Sequence, residues 1–242
     1  MSINNILPFI STVIMLIFTL SVFQRYLVRR RPAFLYWAIG LAMFGAGSFG
    51  EAYLAIAWSP VVFFVWYVFG AALNAAWLGH GTLNLLVKKR WVNVITVLLV
   101  LGSLVVIVLM LSTPLDASSF DPSVPISSQY RAIMPERAVV RLSTPIFNIY
   151  GLVMLAGGAI YSAYLFWRKR VLPNRVIGNV LIAVGALSIG FASSLTRLGF
   201  GEYLYIGELI AAIMMYAGFR IAARPEWRES AAPQPSVASA GD

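Results

Sequence analysis

Three ionisable residues lie near corresponding ends of long apolar segments, where they could carry chemistry that depends on charge. Glu51 and Glu208 each lie within about two helical turns of a segment end, and Arg197 closes a third segment. Ionisable groups inside a bilayer are costly to bury and are functional candidates. An arginine would offset one carboxylate, and the second carboxyl group would hold a proton or a cationic ligand. The alternative interpretation is a structural ion pair between helices.

A second group of polar side chains follows one face of a single predicted helix. Asn74, Trp77, His80 and Asn84 fall within roughly a 120° arc at helical spacing, so we expect this stripe to face the bundle interior. The histidine lies deeper than Glu51, and no direct contact between the two is expected. A proton relay or pH sensor is the functional interpretation of His80, and a satisfied hydrogen bond between helices is the structural one.

Two arginines form a candidate basic face in the longest connection between apolar segments. The sequence Pro135 to Leu142 predicts a short helix, in which Arg137 and Arg141 would share one face because they are four residues apart. This face would bind an anion or a protein partner. Contact with lipid headgroups or water is the alternative.

The elements that position these residues follow from the composition. The chain has 242 residues, of which 60% are hydrophobic and 11% charged, whereas soluble domains carry about a quarter charged residues. Its formal net charge of +9 comes from short basic clusters between apolar runs. The positive-inside rule explains this pattern, which argues against a nucleic-acid partner.

Seven segments are long and apolar enough to cross a bilayer. We predict an all-α polytopic membrane protein with spans at about 6–27, 33–57, 60–87, 91–112, 144–167, 174–196 and 203–221. One set of alternate connections, counted with the span ends beside them and the C-terminal tail, holds fourteen of the eighteen Lys and Arg residues. This set is therefore predicted to be cytoplasmic, and an odd number of spans places the N-terminus outside.

The predicted organisation is one transmembrane domain over residues 1–229, with an external loop at 113–143 and a disordered cytoplasmic tail at 230–242. The first apolar run has no positive residues before it, so we expect a retained span rather than a cleaved signal peptide. The expected location is the inner membrane of a bacterium.

Several classes of site are excluded by residue type. The chain has no cysteine and one histidine, which excludes thiolate sites and His-cluster metal sites. No aspartate lies in any predicted span, and no hydrolase motif appears, so we expect neither an enzyme nor a bound cofactor. Seven spans resemble the rhodopsins in topology, but Lys88, Lys89 and Lys169 all lie in connections, and a retinal Schiff base needs a lysine in span seven.

An internal repeat is indicated by two similar octapeptides. Residues 45–52 read GAGSFGEA and residues 185–192 read GALSIGFA, which match at five of eight positions. The pattern predicts parallel repeats made of spans one to three and spans five to seven, with span four as linker, a 3-1-3 layout. The sugar transporters of this layout carry a Pro-Gln motif, which occurs here only at Pro233-Gln234 in the tail.

A stretch of the N-terminal half resembles a known kind of membrane module. The residues that carry the resemblance are RRRPAFLYWAIG at 29–40, GEAY at 50–53, WYVFG at 66–70 and GHGTL at 79–83. They resemble the seven-span input module of bacterial sensor histidine kinases and uncharacterised stand-alone bacterial proteins of that type. The resemblance covers about residues 20–90 and implies a sensing role, although no kinase domain follows.

The sequence is compatible with two functions. The first is a non-enzymatic, sensor-like or partner-binding module, whose partners are the bilayer and either another membrane protein or a second copy of the chain. The second is a 3-1-3 transporter for a small solute, a proton or a cation. Its polar path would run from Glu51 past Asn74 to His80 and Asn84.

Overall fold

The predicted fold class is confirmed by a computed structural model. It describes residues 3–199, 201 and 203–224, with the side chains of residues 3–5 and Arg197 left out. This part of the chain is helical, and seven of its helices are long and apolar enough to cross a membrane. The predicted tail at 230–242 lies outside the described residues.

The spans have well-defined bounds. They are Ile3–Arg29, Pro32–Leu54, Pro60–Leu86, Trp91–Leu111, Val140–Arg168, Pro173–Arg197 and Tyr203–Ala222, named span one to span seven below. Span three begins with Pro60 in its first turn, and the Ser59 hydroxyl accepts a hydrogen bond of 3.4 Å from the backbone N–H of Val62. This cap satisfies an N–H that has no partner within the helix.

Six of the spans form a ring. Each of spans one, two, three, five, six and seven packs against the next in this order, and span seven returns to span one. Span four packs on the outside of the ring, against spans three and five. Each predicted triplet occupies consecutive positions in the ring, and the predicted 3-1-3 repeat stays a prediction.

Spans two and three come into backbone contact through two glycines. A Cβ on Gly47 would overlap the Cα of Gly70, and the reverse also holds. Such small-residue contacts let membrane helices approach closely. Gly70 lies in a π-helical segment of span three, Trp66–Leu73, and span five contains a second π-helical segment, Val153–Gly157.

The two ends of the bundle differ, and we name them by their residues. The loop side carries the connection 112–139 between spans four and five, and the basic side carries the connections 30–31, 87–90 and 169–172. An apolar core fills the basic half of the ring. It is named the plug below and is made by Met15, Phe18, Val22, Trp37, Ala38, Leu41, Phe44, Leu78, Leu155, Ala156, Ala159, Ile182, Ala183, Ala186, Ala211, Ala212 and Met215.

The connection on the loop side is folded against span three. Its helix Ile126–Ile133, the loop helix, buries Ile126 and Ile133 in a second apolar core together with Phe63 and Tyr67 of span three. The helix predicted at 135–142 is wrong over residues 135–139, which form turns before span five begins at Val140. Burial of apolar side chains at 126, 133 and 134 decides the position of the helix, and the charge spacing does not.

Candidate functional site

A cavity of about 810 Å³ occupies the loop half of the ring. Its walls come from spans two, three, five, six and seven and from the loop-side connection. Its floor is formed by Phe44, Leu78, Leu155 and Met215, which belong to the plug. The cavity is within the size range of ligand pockets, and its floor of buried apolar side chains closes it towards the basic side.

Two of the predicted carboxyl groups lie together in the wall of this cavity. Glu51 of span two is 2% exposed and Glu208 of span seven is 9% exposed, and the two side chains interact directly. Glu51 accepts a hydrogen bond of 3.1 Å at Oε1 from the indole Nε1 of Trp66. Glu208 accepts one of 3.4 Å at Oε2 from the hydroxyl of Ser48. The structure thus brings together two of the three residues of the predicted outer cluster.

One oxygen of this pair has no ordinary donor. Within the described residues, Oε2 of Glu51 is buried and has no N–H or hydroxyl partner. Its neighbour is the carboxyl group of Glu208, which donates a hydrogen bond only when it carries a proton. Two buried carboxylates side by side repel each other, so the pair favours a shared proton or a bound cation.

The third member of the predicted cluster is Arg197, at the end of span six. Its side chain lies outside the described residues, and the predicted contact with Glu51 and Glu208 stays a prediction. Where side chains are described, no group of three or more His, Asp or Glu residues is arranged to hold a metal ion.

Polar side chains join spans three and five along the cavity wall. The amide of Asn148 donates to the backbone oxygen of Ala71 at 2.9 Å, and the hydroxyls of Tyr67 and Thr144 lie 3.1 Å apart. Ala71 lies in the π-helical segment, where the backbone hydrogen-bond pattern changes. Asn148 therefore satisfies a carbonyl group that faces a neighbouring helix in the wall of the cavity.

The mouth of the cavity is basic. The predicted arginines Arg137 and Arg141 both line it, together with Arg131 and Glu136. Arg141 donates to the backbone oxygens of Pro135 at 3.2 Å and Glu136 at 3.4 Å, and its guanidinium lies 6.0 Å from the ring centre of Tyr130. Both arginines line the mouth although Arg137 is not helical, and the bonds of Arg141 tie the turns at 135–136 to the first turn of span five.

Hydrogen-bonded aspartates shape the rest of the connection. Asp116 accepts bonds from Ser118 and Ser119, and these bonds, with that of the Ser118 hydroxyl first, hold the pKa of Asp116 below its usual value. Gln129 is 8% exposed and holds the turn before the loop helix by hydrogen bonds. Its side-chain oxygen accepts from the N–H of Asp121, and its Nε2 donates to the backbone oxygens of Asp121 and Val124. The connection is thereby held over the cavity.

The predicted polar stripe of span three divides between two surroundings. Asn74 lines the cavity. Trp77 instead donates from Nε1 to the hydroxyl of Ser103 in span four at 3.2 Å. Asn84 is half-buried near the basic end of the span and does not line the cavity. The stripe covers about a third of the helix surface. One edge of it therefore faces the interior of the ring, and the other edge faces span four.

His80 is buried and fully bonded between three spans. Its Nε2 lies 2.8 Å from the hydroxyl of Thr96 in span four, and its Nδ1 lies 3.0 Å from the hydroxyl of Tyr150 in span five. The Thr96 hydroxyl donates to the backbone oxygen of Val92, so it accepts from His80. Nε2 therefore carries the proton, and Nδ1 accepts from Tyr150. His80 lies outside the cavity wall.

Several residues of the site were missed from the sequence. They are Ser48, Trp66, Tyr67, Tyr130, Thr144 and Asn148. Ser48 precedes Glu51 by three residues and shares its helical face, a signal that was available. The others are aromatic or small polar residues of types common in membrane helices, and only the packing of span three against span two, span five and the loop helix brings them together.

Comparisons with known proteins give no relative for this chain. No protein-family model matches it, and neither a curated protein nor a solved structure matches it.

Proposed function

We propose that this chain is a non-enzymatic, sensor-like binding module of a bacterial inner membrane. Its ligand binds in the cavity on the loop side, near Glu51 and Glu208. The observation that carries the proposal is the one-sided form of the cavity, which has a polar wall and ends on the plug. A binding module needs such a pocket and no path to the opposite side.

The proposed orientation places the loop side outside the cell. The connections of the basic side, the helix ends beside them and the C-terminal tail together hold fourteen of the eighteen Lys and Arg residues, and these groups favour the cytoplasmic face. The N-terminus is then outside and the C-terminus cytoplasmic, and the ligand arrives from the external face.

The two π-helical segments support a role in sensing. Trp66–Leu73 provides part of the cavity wall, and Val153–Gly157 contains the floor residue Leu155. Segments of this kind are frequent at functional sites, and a shift between π and α geometry changes the register of the residues that follow. Ligand binding would bias this register, and another membrane protein or a second copy of the chain would receive the change.

A transporter of 3-1-3 architecture is the second candidate. The ring order of the spans favours it, because two triplets around one central cavity are the arrangement of transporters with parallel repeats. The two functions differ in one property. Transport requires the plug to open towards the basic side, whereas sensing leaves it closed.

Flux measurements separate these functions. The purified chain would be placed in proteoliposomes with a proton, Na⁺ or K⁺ gradient, and the internal pH or ion content followed with a trapped dye. We expect the rates to equal those of protein-free vesicles. A flux that the wild type supports and Glu208→Gln abolishes would contradict the sensor proposal and favour the transporter.

A further inference from the structure

The carboxyl pair and the shape of the cavity together indicate which class of ligand it takes, and this inference rests on the proposed binding function. Glu51 Oε1 and Glu208 Oε2 are occupied by neutral donors, Trp66 and Ser48. Oε2 of Glu51 is buried in the cavity wall without such a donor. A group that brings both a positive charge and N–H donors satisfies this oxygen and offsets the charge of the pair.

The described cations of the cavity lie at its mouth. Arg131, Arg137 and Arg141 line it, and they come from the connection and from the first turn of span five. Arg141 is directed to the backbone oxygens of Pro135 and Glu136 and to the ring of Tyr130. Among the described side chains, the carboxyl pair thus has no positive group beside it, and a cationic ligand can replace the shared proton.

The cavity also has a lateral opening between spans five and six. The two helices touch where a Cβ on Gly190 would lie 3.2 Å from Cδ2 of Leu152. Towards the loop side of this contact, Leu142 and Ile149 line the cavity and are 68% and 65% exposed, which marks the separation of the two helices. Ser193 and Ser194 of span six likewise line the cavity and are exposed.

This opening faces the lipid. Ile149 lies within span five, nine residues after Val140, and hence about 13 Å along the helix from its start. A ligand that is entirely water-soluble enters through the mouth and needs no such opening. A hydrocarbon chain, in contrast, passes between the helices and remains in contact with lipid.

The geometry points to an amphiphile with a primary ammonium group as the ligand. In the bound state its ammonium group takes the place of the proton that Glu51 and Glu208 share and donates to Oε2 of Glu51 as the two carboxyl groups move apart. Its hydrocarbon chain leaves through the opening between spans five and six. Charge, donors and chain are three separate requirements, and each has its own probe.

Radiolabelled dodecylamine is the probe for a binding test on the full chain in phosphatidylcholine nanodiscs, with binding to empty nanodiscs subtracted. We expect saturable binding that falls about tenfold or more in affinity in Glu51→Gln and in Glu208→Gln. Asp116→Asn, a carboxylate of the connection that lies outside the cavity wall, is the matched control and should bind as the wild type does. Equal affinity in all four proteins would overturn the proposal.

Two competitors test the donors and the chain. Dodecyltrimethylammonium has the charge and chain without N–H donors, and butylamine has the donors with a short chain. We expect each to compete at least tenfold more weakly than unlabelled dodecylamine. Competition by butylamine as strong as that by dodecylamine would show a water-borne amine and overturn the membrane source. Equal competition by the trimethylammonium compound would overturn the role of Glu51 Oε2.

Two further variants test the path and the remaining cation. Ser193→Trp narrows the opening and should weaken dodecylamine binding, whereas Leu187→Trp, exposed on the same span outside the cavity, should not.

Binding of dodecylamine should persist in Arg197→Gln. Amine binding that appears only in Arg197→Gln would identify arginine as the occupant of the pair and overturn the proposal. The sensor proposal is contradicted by ion flux or by a plug that opens, whereas the amphiphile proposal is contradicted by the binding measurements. The failure of one is therefore distinguishable from the failure of the other.

Discussion

The indole Nε1 of Trp66 donates a hydrogen bond of 3.1 Å to Oε1 of Glu51, and this bond joins span three to span two in the cavity wall. Trp66 is 4% exposed and Glu51 is 2% exposed, so water does not compete for the bond. The bond fixes one carboxylate oxygen and leaves the other towards Glu208. The position of the carboxyl pair thus depends on an aromatic donor from the neighbouring span.

Removal of the Trp66 donor should cost more stability when its Glu51 acceptor is present than when it is absent. We expect Trp66→Phe to lower the free energy of unfolding, because it leaves the Glu51 oxygen without a partner. The same change in a Glu51→Leu background should cost less, with a coupling energy of about 1 kcal/mol. Unfolding by SDS titration in mixed micelles measures the four proteins of this cycle.

A second tryptophan provides the control for that cycle. Trp77 donates to Ser103 and has no contact with the carboxyl pair. Trp77→Phe and Glu51→Leu should therefore be additive. Equal costs of Trp66→Phe in both backgrounds would contradict the role of the Trp66 bond.

The backbone contact between Gly47 and Gly70 should be intolerant of any side chain. Gly47→Ala or Gly70→Ala places a methyl group against backbone atoms, which cannot rotate away, and we expect a loss of about 1–3 kcal/mol in unfolding free energy. Gly157→Ala is the matched control, because nothing lies within 4 Å of its Cβ position. That variant should be neutral or slightly more stable, owing to the helix propensity of alanine. Equal losses in all three variants would contradict the contact.

The sequence predicts the spans well because each needs only its own apolar residues. It also indicates Glu51 and Glu208, since a carboxyl group in an apolar run is conspicuous. The bonds of Trp66 and Asn148 could not be predicted, because a π-helical segment shifts the register of span three and the donors come from other spans. The helix predicted at 135–142 is wrong over residues 135–139. Burial of apolar side chains at 126–134 determines where the helix of the connection lies, and the spacing of two arginines does not.

His80 should act as a structural residue, and its hydrogen bonds give the test. Tyr150→Phe removes the donor to Nδ1 and leaves a buried acceptor unpaired, so we expect a loss of about 1 kcal/mol or more in unfolding free energy. Tyr161→Phe on the same span, where Tyr161 is 55% exposed, should have no effect. Neither change should alter ligand binding, since neither residue lines the cavity. A loss of binding in Tyr150→Phe without a loss of stability would instead favour a functional role for the histidine.

Asp116 in the loop-side connection should become protonated, and lose its hydrogen bonds as an acceptor, at a lower pH than an ordinary aspartate. The Ser118 and Ser119 bonds lower the pKa of Asp116 from its ordinary value of 3.8, so their contribution to stability is present above that value and is lost as the pH falls through the lowered pKa. Carboxyl NMR of protein labelled at aspartate should show this titration. Ser118→Ala should move the pKa back towards 3.8. An unchanged pKa in Ser118→Ala would contradict the hydrogen-bonded turn.

The central claim is a cavity that opens to water on the loop side only, and cysteine accessibility tests it most directly, because the chain has no native cysteine. Ala71→Cys places a thiol in the cavity wall and Ala183→Cys places one in the plug, while Ser123→Cys and Val171→Cys report the exposed loop and basic sides. A membrane-impermeant thiol reagent would be applied separately to each side of oriented proteoliposomes. We predict that Ala71→Cys is labelled only from the side that labels Ser123→Cys, and that Ala183→Cys is labelled from neither side. Labelling of Ala183→Cys from the side that labels Val171→Cys, or an Ala71→Cys that the loop-side reagent does not reach, would contradict the account.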